Sequence, residues 1–152
     1  MLPPVLRSAA SSGDGGCMQS LRCCVRGTSV VKRDRGFFSS LQVLYHIKVK
    51  VADECWVAQY AMADVLQLHA RLMLVAKHGG GAFHKALAAL PCPKEPLFKK
   101  TEMLVIKGMC GELEHYLVNL VKLCQRFEAL DAPDVDIVEA HTLDFLKACN
   151  RH

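Results

Sequence analysis

The sequence predicts an α+β fold in which a small three-stranded antiparallel sheet packs against a helical subdomain. Segments with strand-like alternation come first along the chain, and segments with helical periodicity follow them. That order is typical of helices gathered on one face of an antiparallel sheet, and it differs from alternating strand–helix units. With 152 residues, the chain is long enough for one sizeable hydrophobic core and short for two domains.

Two regions of the chain differ in composition. Residues 1–27 are rich in Ser, Gly and Arg, contain a single acidic residue and show no sustained apolar period, so we expect a flexible basic leader. Mitochondrial targeting by this leader is a minor alternative, because Pro3, Pro4 and a glycine cluster interrupt the amphipathic helix that such a signal needs. Residues 28–150 form the predicted domain.

Charge and cysteine content exclude several classes of protein. The longest segment without a charged residue, residues 36–47, is much shorter than the roughly 18–20 apolar residues that cross a bilayer. The N-terminus lacks the unbroken apolar segment of a secretory signal, and the eight cysteines include no C-x-x-C pair. We therefore expect a cytoplasmic, reducing setting with no structural metal and no cofactor.

Three segments predict the strands. Residues 28–31 form a short β-branched run, and a charged turn follows them. Residues 40–51 then alternate apolar and polar side chains. Their predicted buried face consists of Val43, Tyr45, Ile47, Val49 and Val51. A tight polar connection leads to residues 55–61, which supply an antiparallel partner strand.

The remaining chain predicts helices. One begins near Asp64, where a carboxylate meets the free N–H groups of a first turn, and ends at His78 before three glycines. A short helical stretch at residues 82–90 precedes a loop with three prolines at residues 91–96.

Two longer helices complete the order. The longest is predicted from an apolar stripe at three- and four-residue spacing, formed by Met103, Ile106, Cys110, Leu113, Leu117, Leu120 and Cys124. A final helix is predicted to turn Ile137, Leu143, Leu146 and Phe145 inward.

Five fragments of the chain resemble, in order, parts of the Phox-homology (PX) family. YHIKV followed by CWV resembles its second and third strands, and VLQLHARL resembles the start of its first long helix. LPCPKEPLF is similar to its proline-rich loop, GELEHYLVNLV to its L-E-x-Y-L helix and HTLDFLKAC to its closing signature. The resemblance covers residues 28–150 and implies a phosphoinositide-reading module.

The resemblance also implies a lipid pocket that has lost its arginines. In the family, R-R-Y-S-D-F stands before L-H; its second arginine grips a phosphate and its tyrosine supports the inositol ring. Here Tyr60 begins that hexad, Ala61 replaces the arginine and Met62 the tyrosine. Met109 occupies the place of a further arginine, and Lys94 is the one usual lipid-contacting cation that remains. These five residues form the predicted, degenerate headgroup pocket.

A basic loop with an apolar tip is the second feature that the resemblance implies. Lys94, Lys99 and Lys100 flank Leu97 and Phe98 in a loop that the family presses into membranes. Each lysine near an anionic surface contributes about 1 kcal/mol, so three alone give marginal binding. The alternative is that Phe98 packs into the core while the lysines are solvated.

The implied function is a phosphoinositide- and membrane-binding adaptor of endosomal trafficking, peripheral on endosomal membranes, with weakened or atypical lipid recognition. The alternative is a protein–protein interaction scaffold that keeps the PX fold and has lost lipid binding. An enzyme is not expected, because the histidines are scattered and no Ser or Cys lies in a nucleophile motif. Nucleic-acid binding is not expected either, because the basic leader lacks aromatic interleaving.

Overall fold

The computed structural model describes residues 18–78 and 81–148. Its sheet contains β1 (Arg22–Arg35), β2 (Phe38–Val51) and β3 (Glu54–Tyr60), in the order β1-β2-β3 and antiparallel throughout. Helices follow the sheet in the chain, so the predicted α+β class is confirmed.

The hairpin of β2 and β3 agrees with the sequence prediction. Val51 pairs with Glu54 across a two-residue turn in which Ala52 has a φ of 51°. The five alternating residues of β2 predicted to face inward are all buried, because every second side chain of a strand points to the same face.

In the structure, β1 is longer than the predicted strand. β1 covers Arg22–Arg35, although only residues 28–31 were predicted as strand. A bulge between Val25 and Gly27 breaks the two-residue period on one side, and charged residues continue the strand on the other. Met18 and Leu21 are fully buried, so residues ahead of Thr28 contribute to the hydrophobic core. Residues 1–17 of the predicted leader lie outside the described residues.

Four α-helices follow the sheet within the described ranges: α1 (Met62–Val75), α2 (Ala82–Ala88), α3 (Met103–Ala129) and α4 (Val135–Ala148). A single 3₁₀ turn, Ala76–His78, extends α1 to the predicted end of the first helix. Residues 89–102 form the loop that contains the three prolines. None of the helices in residues 18–78 and 81–148 is long and apolar enough to cross a membrane.

Two predicted core residues are exposed. Met103 is 71% exposed, because it is the first residue of α3 and lies next to the proline-rich loop. Ile137 is 43% exposed, whereas Val135, Val138 and Leu146 are buried. The core face of α4 follows Val135, Val138 and Leu146, and Ile137 lies at its border. The prediction for these two side chains was wrong.

The C-terminal end of α4 is fastened to β3 by two hydrogen bonds. The Tyr60 hydroxyl donates to the Phe145 carbonyl, and the Trp56 indole N–H donates to the Leu146 carbonyl at 2.9 Å. The Tyr60 and Phe145 rings also stack, with centroids 4.1 Å apart. Because the last carbonyls of a helix lack partners within it, these two donors hold the helix end against the sheet.

α3 is hydrogen-bonded to both the sheet and α1. One Glu114 carboxylate oxygen accepts a hydrogen bond from the Val25 N–H at 2.9 Å, next to the β1 bulge. Two residues later, the Tyr116 hydroxyl lies 2.9 Å from His69 Nδ1 of α1. α3 therefore fixes the sheet and α1 relative to each other.

Candidate functional site

A concavity of about 270 Å³ lies where the sheet, the start of α1 and the proline-rich loop meet. β1 contributes Arg33 to its wall, and β2 contributes residues between Ser40 and Tyr45. Ala61, Met62 and Ala63 supply the helix side. The loop adds Glu95, Pro96 and Lys100. Four separate chain segments thus enclose one pocket.

The start of α1 is set by a local hydrogen-bond pair. Ala61 has extended backbone angles, with φ −79° and ψ 158°, and precedes the first helical residue. Asp64 Oδ2 accepts a hydrogen bond from the Ala61 N–H at 2.9 Å, and the Asp64 N–H donates back to the Ala61 carbonyl at 3.1 Å. The carboxylate predicted for this first turn therefore stabilises the helix end beside the concavity.

The five residues of the predicted headgroup pocket do not all lie together. Ala61 and Met62 line the concavity. Tyr60 is buried on the core side of β3, where it contacts Phe145, and Met109 is buried in the core. Lys94 is exposed in the loop. Tyr60, Lys94 and Met109 are not among the residues that line this concavity.

Two cations line the concavity. Lys100 was predicted for the membrane-contacting loop, and it lies in the pocket wall as well. Arg33 was not predicted, because its segment K-R-D-R-G was interpreted as a turn. The hairpin register places Arg33 opposite Ser40, a second lining residue. The concavity therefore contains an arginine supplied by β1, while position 61 holds an alanine.

The electrostatics of this pocket are mixed. Glu95 lies in the same wall as Arg33 and Lys100, so one negative charge opposes two positive ones. Gln42 also lines the pocket, and its side-chain oxygen is buried without a hydrogen-bond partner among the described residues. An unpaired buried acceptor is unfavourable.

The proline-rich loop carries an exposed apolar tip. Leu97 is 88% exposed and Phe98 is 81% exposed, so Phe98 does not pack into the core. Lys94, Lys99 and Lys100 are exposed around them. Lys99 has a φ of 57°, a left-handed conformation that non-glycine residues seldom adopt.

The first turn of α3 extends this apolar surface. Met103 and Leu104 are 71% and 82% exposed and follow the loop directly. Sequence reasoning assigned Met103 to the core, since its spacing continues the stripe of α3. Lys99 and Lys100, which precede this turn, indicate in the sequence that the start of α3 lies at the surface.

The described residues show little that favours covalent or metal chemistry. Burial raises the pKa of the Cys23 and Cys124 thiols to about 12, which keeps both protonated at neutral pH. Among residues 18–78 and 81–148, no three His, Cys, Asp or Glu side chains are grouped closely enough to hold a metal ion.

Comparison with solved structures identifies the fold. A designed CISK-PX domain superposes with a TM-score of 0.56 at 21% identity, covering 83% of this chain and 98% of that one. The mouse SNX19 PX domain with a bound sulphate ion gives a TM-score of 0.50 at 18% identity, covering 79% and 96%. The chain has the fold of a PX domain. No protein-family model and no curated protein matches its sequence.

Two of the fragments that resemble the PX family contact each other in the structure. His69 belongs to the L-H fragment and Tyr116 to the L-E-x-Y-L fragment, and their side chains meet at 2.9 Å with an edge-on ring contact. Glu114 of the second fragment holds β1. These motif residues have structural partners and are not among the residues that line the concavity.

Proposed function

We propose that this PX-fold domain binds anionic phospholipid membranes through the concavity and the adjoining loop tip. The observation that carries the proposal is the exposure of Leu97 and Phe98 beside Lys94, Lys99 and Lys100. Large apolar side chains of soluble proteins are seldom exposed in adjacent pairs without a partner. An apolar tip surrounded by lysines matches the boundary between acyl chains and anionic headgroups.

The concavity supports a headgroup at the same surface. Arg33 offers a planar, permanently charged group suited to a phosphate, and Lys100 adds a second cation. We infer a phosphoinositide as the favoured lipid, bound more weakly than in relatives with an arginine at position 61, because Glu95 repels phosphate.

A known member of the fold binds an anion. The SNX19 PX domain was crystallised with sulphate, an analogue of phosphate in charge and shape. That property belongs to the SNX19 domain, and it supports anion binding here only as an analogy of fold. By the same analogy we propose a peripheral location on phosphoinositide-bearing endosomal membranes, facing the cytoplasm.

A protein-interaction scaffold is the second candidate, and one feature of the sheet favours it. β3 pairs with residues 45–51 of β2, so residues 38–44 have β1 on one edge and, among the described residues, no strand on the other. An open strand edge can accept an extended peptide by adding a strand. In that case the concavity would receive side chains of a protein partner.

Vesicle sedimentation at two salt concentrations separates the candidates. We expect the domain to pellet with phosphatidylcholine vesicles that contain phosphatidylserine or a phosphoinositide at low salt, and to pellet less at high salt, where charges are screened. Leu97→Ser with Phe98→Ser should weaken binding at both concentrations. If the unmodified domain fails to pellet even at low salt, membrane binding is excluded and the scaffold is favoured.

The matched control replaces two exposed apolar residues elsewhere. Leu130 and Ile137 are exposed near the end of α3, a 27-residue helix about 40 Å long whose other end adjoins the loop. Leu130→Ser with Ile137→Ser should leave sedimentation unchanged. Equal losses in both double variants would show that apolar surface in general, and not this loop, causes the pelleting.

A further inference from the structure

A second cavity, of about 330 Å³, lies between the start of β1 and the second half of α3. Its β1 side is formed by Leu21, Arg22 and Cys23. Its α3 side consists of Val118, Val121, Lys122 and Gln125. We call this cavity the β1–α3 groove. None of these residues lines the concavity beside Ala61, so the two cavities are separate.

The groove lies where α3 stops satisfying the free edge of β1. The Glu114 carboxylate accepts the Val25 N–H at 2.9 Å, so this N–H points away from β2 and towards α3. Residues two apart in an antiparallel strand direct their backbone groups to the same edge, so the N–H and C=O of Cys23 face α3 as well. One helical turn after Glu114 comes Val118, whose side chain offers no acceptor to that N–H.

Side chains of α3 close the groove at both ends. Glu114 closes it at Val25, and the Gln125 amide donates to the Met18 carbonyl at 3.0 Å at the other end. Positions 114 and 125 are about 16 Å apart along the helix axis. An extended chain advances about 3.3 Å per residue, so the groove holds only a few residues. The end of a chain fits such a space, because it needs no second exit.

The lining of the groove combines buried apolar surface with exposed positive charge. Leu21 is 1% exposed and Val121 is 7% exposed, and these two residues form an apolar floor. Arg22 and Lys122 are exposed, and none of the described residues that line the groove is acidic. A ligand that joins a carboxylate to an apolar group matches this combination.

We propose that the β1–α3 groove binds the C-terminus of a partner polypeptide, with an apolar last side chain on the floor and the terminal carboxylate beside Arg22 and Lys122. The backbone of such a segment pairs with the N–H and C=O of Cys23, as an extended peptide does when it adds to a strand edge. A fatty acid also joins a carboxylate to an apolar chain, but it has no N–H to donate to the Cys23 carbonyl. The site does not depend on membrane binding, because Lys122 lies about 28 Å along α3 from its first residue, beside the loop.

Nuclear magnetic resonance titration of the ¹⁵N-labelled 152-residue chain measures both the affinity and the place of binding. The probes are acetylated tripeptides, Thr-Val followed by Val, Leu, Ile or Phe, prepared as free acids and as C-terminal amides. We expect the free acids to shift the Cys23 amide resonance and to bind about tenfold more tightly than the amides, because amidation removes a charge-assisted contact. Octanoate represents a free fatty acid and should bind more weakly than the peptide acids.

Removing the two cations tests recognition of the carboxylate. Arg22→Gln with Lys122→Gln should weaken binding of the free acids about tenfold and leave binding of the amides unchanged. Lys77→Gln with Lys85→Gln is the control of equal charge change and should bind every probe as the unmodified chain does. All four side chains are exposed, so both variants are expected to fold, and circular dichroism checks this.

Filling the groove tests the strand-edge contact. Val118→Gln places an acceptor opposite the Cys23 N–H, as Glu114 does for Val25, and it occupies part of the cavity. We expect this variant to lose peptide binding and to show slower hydrogen exchange of the Cys23 amide. The expected slowing shows that the variant is folded and that the Cys23 N–H points into the groove.

Three results would overturn the inference. Equal binding of the free acids and the amides would show that the groove does not recognise a terminal carboxylate. A shift of the Cys23 resonance by octanoate alone would make the groove a site for small acids and exclude the polypeptide terminus. No shift with any probe would exclude the site. None of these results bears on vesicle sedimentation, so this inference and the proposed function can fail separately.

Discussion

Arg33 of β1 and Lys100 of the proline-rich loop line one concavity beside Ala61, the position where the PX family pattern has its phosphate-gripping arginine. The cations of the pocket therefore come from β1 and the proline-rich loop, whereas the family pattern places its arginine just before α1. Glu95 lies among them and reduces the positive potential. We propose weak anion recognition from this arrangement, and added positive charge at position 61 should strengthen it.

Ala61→Arg should increase binding to phosphoinositide vesicles by about tenfold, because a hydrogen bond to a charged group contributes about 1.5–3 kcal/mol. Ala61 is extended and lines the concavity, so a longer side chain has room to enter it. Vesicle sedimentation measures the gain, and Ala61→Gln is the control for side-chain length. No gain with arginine would mean that position 61 does not face a bound headgroup.

Met109→Arg serves as the contrasting variant, although the family pattern also has an arginine there. Met109 belongs to the hydrophobic core, so an arginine would place a charge among apolar side chains. We expect a loss of about 2–4 kcal/mol in the free energy of unfolding and no gain in vesicle binding. Tight binding by this variant would place Met109 at the pocket.

Tyr60→Phe should affect stability and leave membrane binding unchanged. The Tyr60 hydroxyl donates to the Phe145 carbonyl, and the ring stacks on Phe145 in the core. Removing the hydroxyl keeps the stacking and should lower the free energy of unfolding by about 1 kcal/mol. Urea unfolding and vesicle sedimentation of the same preparation decide between the two roles. Weaker vesicle binding at unchanged stability would indicate that the Tyr60 hydroxyl contacts the headgroup.

Glu114→Ala should loosen β1 from α3. The Glu114 carboxylate accepts the Val25 N–H at 2.9 Å beside the bulge, and its loss leaves a partly buried donor without a partner. We expect about 1–2 kcal/mol of destabilisation and faster hydrogen exchange of the Val25 amide. Glu114→Gln retains an acceptor oxygen and should lose less. Equal destabilisation of the Ala and Gln variants would show that Glu114 does not stabilise the domain through this hydrogen bond.

His69 should make the fold sensitive to mild acid. Burial lowers the pKa of its imidazole in the native state below the ordinary value near 6.5. As the pH falls through about 6.5, the unfolded chain takes up a proton that the native state resists, so the free energy of unfolding decreases. Above that pH both states are neutral and the effect vanishes.

A glutamine at position 69 isolates this contribution. His69→Gln keeps a side chain able to hydrogen-bond the Tyr116 hydroxyl, and it cannot be protonated. Urea midpoints measured on both sides of about pH 6.5 should therefore fall less for the variant than for the unmodified domain. The same decrease in both proteins would assign the acid sensitivity to other groups.

Regular periodicity explains which elements could be predicted from the sequence. β2 faces the core from Val43 to Val51 and α3 does so over most of its turns, so alternate residues of β2 and the stripe of α3 are visible in the chain. β1 was largely hidden, because a bulge at Gly27 shifts its period and its second half pairs with β2 beyond the end of β3. Sequence patterns record burial, and residues 29–34 are half-buried or exposed.

The site was predictable only in part, for a related reason. Ala61 and Met62 follow from a linear motif, and the structure places both in the pocket wall. Arg33 reaches that wall through the pairing of two strands across Gly36-Phe37, a relation that no local pattern contains. Met103 was wrongly predicted to be buried. Its spacing continues the apolar stripe of α3, but the first turn of that helix extends beyond the hydrophobic core.

The central claim is that Arg33 and Lys100 hold an anionic headgroup in the concavity. The most direct measurement compares sedimentation on phosphoinositide vesicles and on phosphatidylserine vesicles for Arg33→Gln with Lys100→Gln. Lys77→Gln with Lys85→Gln is the control of equal charge change, at exposed lysines beyond the far end of α1. We predict that the first pair abolishes the preference for phosphoinositide and that the control keeps it. A preference retained by the first pair, or lost equally in both, would contradict the account.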